Sequence, residues 1–152
     1  MGTLGFIMAV VWAQGVTGAN PTVQKKPLHE HPTIVRMMEE NNRLRGQVGL
    51  PPQTISPELT KAAQDHAWYM AKTGSFSHFS NGGPDGRAVR HGYAGPAAEN
   101  IAMGHRTVKE VFQGWKASGG HWANIRGSAR VAGFGYAVSR DGSGYWVGMY
   151  GH

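Results

Sequence analysis

Cysteine is absent from the 152 residues of the sequence. Disulfide bonds, thiolate metal sites and a cysteine nucleophile are therefore excluded. A chain of this length forms one domain and buries roughly two-thirds of the surface of the unfolded chain, so it folds without cross-links. Charged residues make up only 16% of the chain and glycines number 23, which predicts a folded chain with many turns.

Charged side chains are missing from residues 1–19, and residues 4–13 form an apolar run. A run of this length is typical of a secretory signal peptide and too short to span a bilayer. No Lys or Arg precedes the run, which leaves an uncleaved apolar anchor or a wrongly assigned start of the protein as the alternatives. We expect residues 1–19 to be a signal peptide and residues 20–32 a linker. Residues 33–152 would then be a secreted or periplasmic domain, with no stable transmembrane segment after processing.

Runs of basic residues are also missing, although the formal net charge is +6. Lys and Arg are scattered and do not alternate with aromatic residues, so we expect no nucleic-acid partner. Weak attraction to an anionic surface, such as a cell envelope, is the milder inference. The sequence contains no HExxH, GxSxG or GxxxxGK[ST] motif, which leaves no sign of a zinc protease, a nucleophile elbow or a phosphate-binding loop.

Apolar periodicity and capping residues predict two helices in the first half of the domain. The first follows Pro32, with Thr33 as its N-cap, and ends at Gly46 or Gly49. The second has stronger signals, because Ser56 is a typical N-cap and Gly74 a typical helix end. His66 lies on the apolar face of this second helix, and we interpret it as a core histidine.

The second half of the domain is predicted to end in a β-hairpin. Residues 75–106 are rich in glycine and proline and predict loops with at most short regular pieces. A third helix runs from 107 to 118, and β-rich segments at 131–139 and 145–150 flank a turn. Helices followed by an antiparallel hairpin indicate an α+β layered domain.

A small set of histidines and glutamates could carry chemistry: His78, Glu99, Glu110 and His121. Their types suit a divalent metal site or a general acid/base pair. Each also has a purely structural interpretation. The sharpest is that of Glu110, which with Thr107 forms a capping box at the start of the third helix.

Five blocks of the chain occur in the order and at the spacing of a known family. They are Asn42-x2-Arg45-x3-Gly49-Leu50, Phe76-Ser77-His78, Ala98-Glu99-Asn100-Ile101, Trp115-x2-Ser118-x-Gly120-His121-x2-Asn124-Ile125 and Gly133-x-Gly135-Tyr136. Over residues 33–152 the chain resembles the CAP superfamily of cysteine-rich secretory, antigen 5 and pathogenesis-related 1 proteins. The likeness is to its short bacterial branch without cysteines.

The resemblance implies a three-layer α-β-α sandwich, with a short antiparallel sheet between helices and a central cleft. Four side chains would converge in that cleft: His78, Glu99, Glu110 and His121. The two histidines would contact a divalent metal such as zinc, and the two glutamates would be the catalytic carboxylates of any reaction. Supporting polar residues in the cleft would be Ser77, Asn100 and Asn124.

The chain departs from the family pattern at two positions, one before Glu99 and one in the last strand. Ala98 replaces the usual glycine before Glu99, and Gly148 stands where a larger polar residue is common. The disulfides of eukaryotic members are missing as well. These changes concern the shape of the cleft more than its existence.

Three functions are compatible with the sequence. The first, which we expect, is a metal-tuned binding module for a lipid, sterol, peptide or cell-envelope component. The second is a metal-assisted hydrolase or protease, in which the histidines hold the ion and a glutamate activates water. The third is a structural or interaction protein. The sequence offers no assignable nucleophile or oxyanion donor, which weighs against an enzyme.

Overall fold

The computed structural model describes residues 26–152 of the chain. The predicted signal peptide and the start of the predicted linker lie outside the described residues, and residues 28–30 form a 3-10 turn. The helices are α1 (Pro32–Gln47), α2 (Pro57–Thr73), α3 (Gly83–Arg90), α4 (Val108–Ala117) and α5 (Gly119–Ile125). The strands are β1 (Thr54–Ile55), β2 (Ala97–Met103), β3 (Val131–Val138) and β4 (Gly144–Gly151). None of these helices combines the length and the apolar character needed to cross a membrane.

The two long helices follow the signals in the sequence, with one correction. Ser56 caps α2, because its hydroxyl accepts a hydrogen bond from the amide three residues on, and Gly74 ends α2 at φ 72°. Both predictions are confirmed. The predicted N-cap of α1 is wrong, since α1 begins at Pro32 and the ring of His31 accepts from the Thr33 amide at 3.3 Å. Proline suits the first helical position, where its missing N–H is not needed.

The four strands form one sheet in the order β1-β3-β4-β2. β3 and β4 are the predicted antiparallel hairpin, which is confirmed, and β2 pairs antiparallel with β4. The two-residue β1 pairs parallel with β3, so the sheet is mostly rather than wholly antiparallel. Every residue of β4 is buried, which places this strand at the centre of the domain.

Helices cover both faces of the sheet. One face packs against α2 and α3 through a cluster that includes Leu59, Ala88, Val147 and Met149. The other packs against α1, α4 and α5 through a cluster that includes Ile34, Phe112, Ile125, Phe134 and Tyr150. The side chains of β4 alternate between the two clusters, as the pleat of a strand requires. The predicted α+β class and α-β-α sandwich are confirmed.

α2 lies directly on β3 because two glycines face it. A Cβ atom added at Gly133 would lie 2.2 Å from the Thr60 amide nitrogen, and one at Gly135 would lie 2.4 Å from the Ala63 backbone. Only glycine permits so close an approach of strand and helix. The contact seats the buried face of α2, and His66 with it, against the sheet.

Side chains cover both edges of the sheet. Gln64 occupies the free edge of β3, where its side chain donates to the Tyr136 carbonyl at 2.8 Å and accepts from the Tyr136 amide at 3.1 Å. On the outer edge of β2, Asn124 donates to the Glu99 carbonyl at 3.2 Å and the Trp115 indole donates to another strand carbonyl at 3.2 Å. Covered edges resist pairing with a strand of another chain.

Four elements go beyond the sequence prediction: β1, α3, β2 and α5. Residues 75–106 contain an eight-residue helix and a seven-residue strand where loops with at most short regular pieces were predicted. The start of α3 contains glycines and Pro84, which in the sequence indicate a loop. Proline nevertheless suits the first turn of a helix. β2 contains three alanines and no clear alternation, because its central residues are all buried. α5 begins with two glycines, which are poor helix formers.

Candidate functional site

The segment between α2 and α3, residues 75–82, carries His78 and is here called the histidine loop. Ser77 closes its turn, because its hydroxyl accepts from the Phe79 amide at 3.2 Å and its carbonyl accepts from the Ser80 hydroxyl at 3.0 Å. Ser77 thus supports the backbone of the loop that presents His78. The side chain of His78 is 39% exposed.

A buried ion pair anchors this loop to the sheet. The Arg87 guanidinium, from α3, donates through Nη2 to Oε2 of Glu99 on β2 at 2.5 Å. The same guanidinium donates to the carbonyls of Ser80 at 2.6 Å and His78 at 3.2 Å. The side chain of Arg87 is 0% exposed and that of Glu99 is 1% exposed. No sequence pattern marked Arg87, because α3 itself was not predicted and no periodicity indicated a buried face.

The other oxygen of Glu99 orients His78. Its Oε1 lies 2.9 Å from Nδ1 of His78. Because a carboxylate beside a guanidinium only accepts hydrogen bonds, this contact requires a proton on Nδ1 and leaves Nε2 as the basic nitrogen. Burial raises the pKa of Glu99, against the opposing effect of the Arg87 charge.

His66 lies behind this pair as a buried neutral ring. It is 0% exposed, its Nε2 donates to the Ser77 carbonyl at 3.1 Å, and it lies 3.9 Å from Oε1 of Glu99. Burial, with the nearby Arg87 charge, lowers the pKa of His66 to about 4. The structure agrees with the interpretation of His66 as a core histidine.

His121 faces His78 from the first turn of α5. Their ring centroids are 6.5 Å apart, with the planes tilted by 56°. Asn100 on β2 holds this turn, because its side chain donates to the His121 carbonyl at 3.0 Å. Asn124 in turn donates to Oδ1 of Asn100 at 2.8 Å. Burial, followed by the His78 charge, lowers the pKa of His121 and favours the neutral imidazole.

Glu110 lies outside this group, which corrects the expected convergence of four side chains. It is exposed in the first turn of α4, where its carboxylate accepts from the Arg106 amide at 2.9 Å and its amide donates to the Thr107 hydroxyl at 3.2 Å. This is close to the capping box indicated by the sequence, with the carboxylate on the amide of Arg106, one residue before the N-cap Thr107. The Arg106 hydrogen bond lowers the pKa of Glu110. No polar contact joins Glu110 to His78, Glu99 or His121, all of which the structure describes.

Comparison with known proteins places the chain in a family. The model of the cysteine-rich secretory protein family, CAP, matches residues 38–150. The chain belongs to the CAP family. A curated relative, YkwD of Bacillus subtilis (strain 168), is 34% identical over 93 residues, which cover 59% of this chain and 36% of YkwD. The chain therefore spans about a third of the length of that relative.

Solved structures share the fold of this CAP domain. An outer surface protein of Borrelia burgdorferi has a TM-score of 0.71 at 19% identity, over 77% of this chain and 90% of that one. An extracellular protein with an SCP domain from Bacillus anthracis str. Ames has a TM-score of 0.71 at 23% identity, over 79% and 40%. Venom allergen-like protein 4 of Schistosoma mansoni has a TM-score of 0.59 at 12% identity, over 80% and 89%. At such identities the likeness establishes the fold.

Two exposed aromatic side chains flank His78 in this CAP domain. Phe79 is 85% exposed and Phe76 is 45% exposed. Large apolar groups on a solvent-facing loop are the kind of feature that marks a contact surface. Phe76 and Phe79 thus place exposed apolar side chains next to His78 on the histidine loop, and the two facing imidazoles together with this loop are called the histidine cleft below.

The buried ion pair predicts strong coupling between its two residues. We expect Arg87→Met to destabilise the domain by about 3–5 kcal/mol, because the Glu99 charge is left buried without its partner. Glu99→Gln strands the Arg87 charge in the same way. The double variant should lose clearly less than the sum of the two, because neither charge remains. Urea unfolding of all four proteins at pH 7 measures the coupling, and additive losses would contradict the ion pair.

The neutral state of His66 predicts acid-sensitive stability. Its pKa of about 4 lies below the ordinary 6.5, so the unfolded chain binds the proton more tightly. The contribution of His66 is therefore complete above pH 6.5 and is lost as the pH falls towards 4, by about 2.5 kcal/mol at pH 4.5. We expect unfolding free energies at pH 7 and pH 4.5 to differ less in His66→Gln than in the wild type, by that amount. Equal acid losses in the two proteins would refute the assignment.

Proposed function

We propose that this CAP domain is an exported binding module whose cleft takes an apolar group of a lipid, sterol or peptide beside a divalent metal contact. The observation that carries the proposal is the pair of facing imidazoles, His78 and His121, with centroids 6.5 Å apart. Export is supported by the apolar run at residues 4–13 and by two relatives, an extracellular protein and an outer surface protein.

The donor chemistry of the two histidines fits a divalent ion such as zinc. A carboxylate that accepts from one ring nitrogen orients the other nitrogen toward a metal and increases its basicity, which is the relation of Glu99 to His78. Two imidazoles on one zinc ion, with Zn–N bonds of about 2.0–2.1 Å, have centroids roughly 5–6 Å apart, close to the separation seen.

Such a contact would be open rather than closed. Within residues 26–152, no group of three or more His, Asp or Glu side chains is arranged to hold an ion. Glu99 uses both carboxylate oxygens on Arg87 and His78. An ion held by two imidazoles would keep its other coordination positions open. Water or a polar group of a ligand could occupy these positions.

The position of the glutamates supports binding over hydrolysis. A general base must reach the water that it activates. Glu99 is enclosed, with its oxygens engaged, and Glu110 caps α4 away from the histidines. Exposed Phe76 and Phe79 favour instead a ligand with an apolar group that contacts the rim of the cleft.

We expect zinc titration by calorimetry at pH 7.5 to give one site per chain. His78→Ala or His121→Ala should abolish this site, because one imidazole alone does not hold the ion against water. The matched control is Glu110→Gln, which alters the capping carboxylate and should leave zinc binding unchanged. A wild type that binds no zinc, or His78→Ala that binds it as well as the wild type, would favour the structural role.

The ligand is tested with Phe79→Ser in the same protein. Because Phe79 is 85% exposed, this change should not alter folding. We expect it to weaken the capture of a fluorescent fatty-acid or sterol probe, while Val138→Ser, which removes another exposed apolar side chain remote in sequence, should not. If Phe79→Ser and Val138→Ser capture the probe equally well, the histidine loop does not contact the ligand.

A further inference from the structure

A cavity of about 540 Å³ lies between the end of α1, the segment that leads to β1 and the segment between α5 and β3. No residue of the histidine cleft lines it. Five residues with polar or charged side chains line it, and these side chains carry three guanidinium groups and two hydroxyls: Arg45, Thr54, Arg126, Ser128 and Arg130. One wall is apolar and comes from Leu50 and two prolines.

The charge of this arginine cavity is uncompensated. No Asp or Glu lines it. In the described part of the chain, the arginines in ion pairs are Arg43, Arg87 and Arg90. Three arginines around one cavity that has no carboxylate in its lining create a positive potential, which attracts anions.

Arg45 gives the cavity a rigid base. It is only 3% exposed, and its Nε donates to the Pro51 carbonyl at 2.9 Å. Its Nη1 donates to the carbonyls of Ile125 at 2.7 Å and Gly127 at 2.9 Å. These three bonds fix the plane of the guanidinium and occupy nearby acceptors that would otherwise repel an anion.

The remaining nitrogen of Arg45 is available to a ligand. Nη2 has no acceptor among residues 26–152, it is not one of the fully enclosed polar atoms without a partner, and Arg45 is one of the residues that line the cavity. Burial lowers the pKa of Arg45, which reflects the cost of a guanidinium that lacks a counter-charge. An anion in the cavity would offset that cost.

We propose that the arginine cavity binds a phosphate-type oxyanion, held by Arg45 from the base and by Arg126 and Arg130 from the rim. Guanidinium groups match the paired oxygens of phosphate, and the hydroxyls of Thr54 and Ser128 are further donors. The apolar wall suits the organic part of a phosphorylated molecule. That group can belong to a soluble phosphomonoester or to the head group of an envelope lipid.

The test measures the binding of inorganic phosphate by phosphorus NMR and by calorimetry, both at low ionic strength. We expect saturable binding to one site per chain, weakened at least about tenfold in Arg126→Gln/Arg130→Gln and weakened by added salt. Arg45 is left intact, because its substitution would also release three carbonyls. The matched control, Lys72→Gln/Arg140→Gln, removes the same charge from other exposed positions and should bind phosphate within about twofold of the wild type.

Co-sedimentation with vesicles identifies the source of the phosphate. Binding to phosphatidylcholine vesicles that contain phosphatidic acid, competed by inorganic phosphate, would assign a lipid head group. Phosphate binding without vesicle binding would assign a soluble ligand. No saturable phosphate binding, or an equal loss in the cavity variant and its control, would overturn the proposal. Zinc titration of the cavity variant should match the wild type, so this test and that of the histidine cleft fail independently.

Discussion

The buried ion pair between Arg87 and Glu99 is the contact on which the histidine cleft depends. One guanidinium holds a carboxylate of β2 and two carbonyls of the histidine loop, so a single side chain fixes α3, loop and sheet relative to one another. Because both charges are buried, each is stable only with the other present. The pair thereby sets the position of His78 and the nitrogen that its ring presents to the cleft. It also engages one oxygen of the Glu99 carboxylate, which supports the proposal of a binding module over that of a hydrolase.

Two buried arginines serve this fold in related ways. Arg87 and Arg45 each donate to backbone carbonyls from separate segments and so fasten loops to the sheet and to α5. They differ in their counter-charge, since Arg87 has Glu99 and Arg45 has no acid. The first is therefore a closed structural pair that orients a neighbour. The second lines a cavity without a counter-charge and has one nitrogen, Nη2, without an acceptor among the described residues, which is the physical basis for proposing an anion there.

The sequence predicts the elements that carry their own local signals. α2 follows its cap, its apolar stripe and its terminal glycine, and the hairpin follows its β-rich segments and turn. β1, α3, β2 and α5 were missed, because they are short, begin with glycine or contain alanine, and become regular only through tertiary packing. The resemblance to CAP proteins anticipated the proximity of His78 and His121, which no local pattern encodes. It misplaced Glu110, for which the capping box was the better guide, and it gave no sign of Arg87.

His78 can hold an ion or a ligand only if Glu99 keeps Nδ1 protonated and leaves Nε2 basic. Long-range nitrogen–proton correlation NMR of the metal-free protein at neutral pH reads this tautomer directly. We predict that the neutral ring of His78 carries its proton on Nδ1 in the wild type and loses that preference in Glu99→Gln. A wild-type ring with its proton mainly on Nε2 would contradict the proposed arrangement of the cleft.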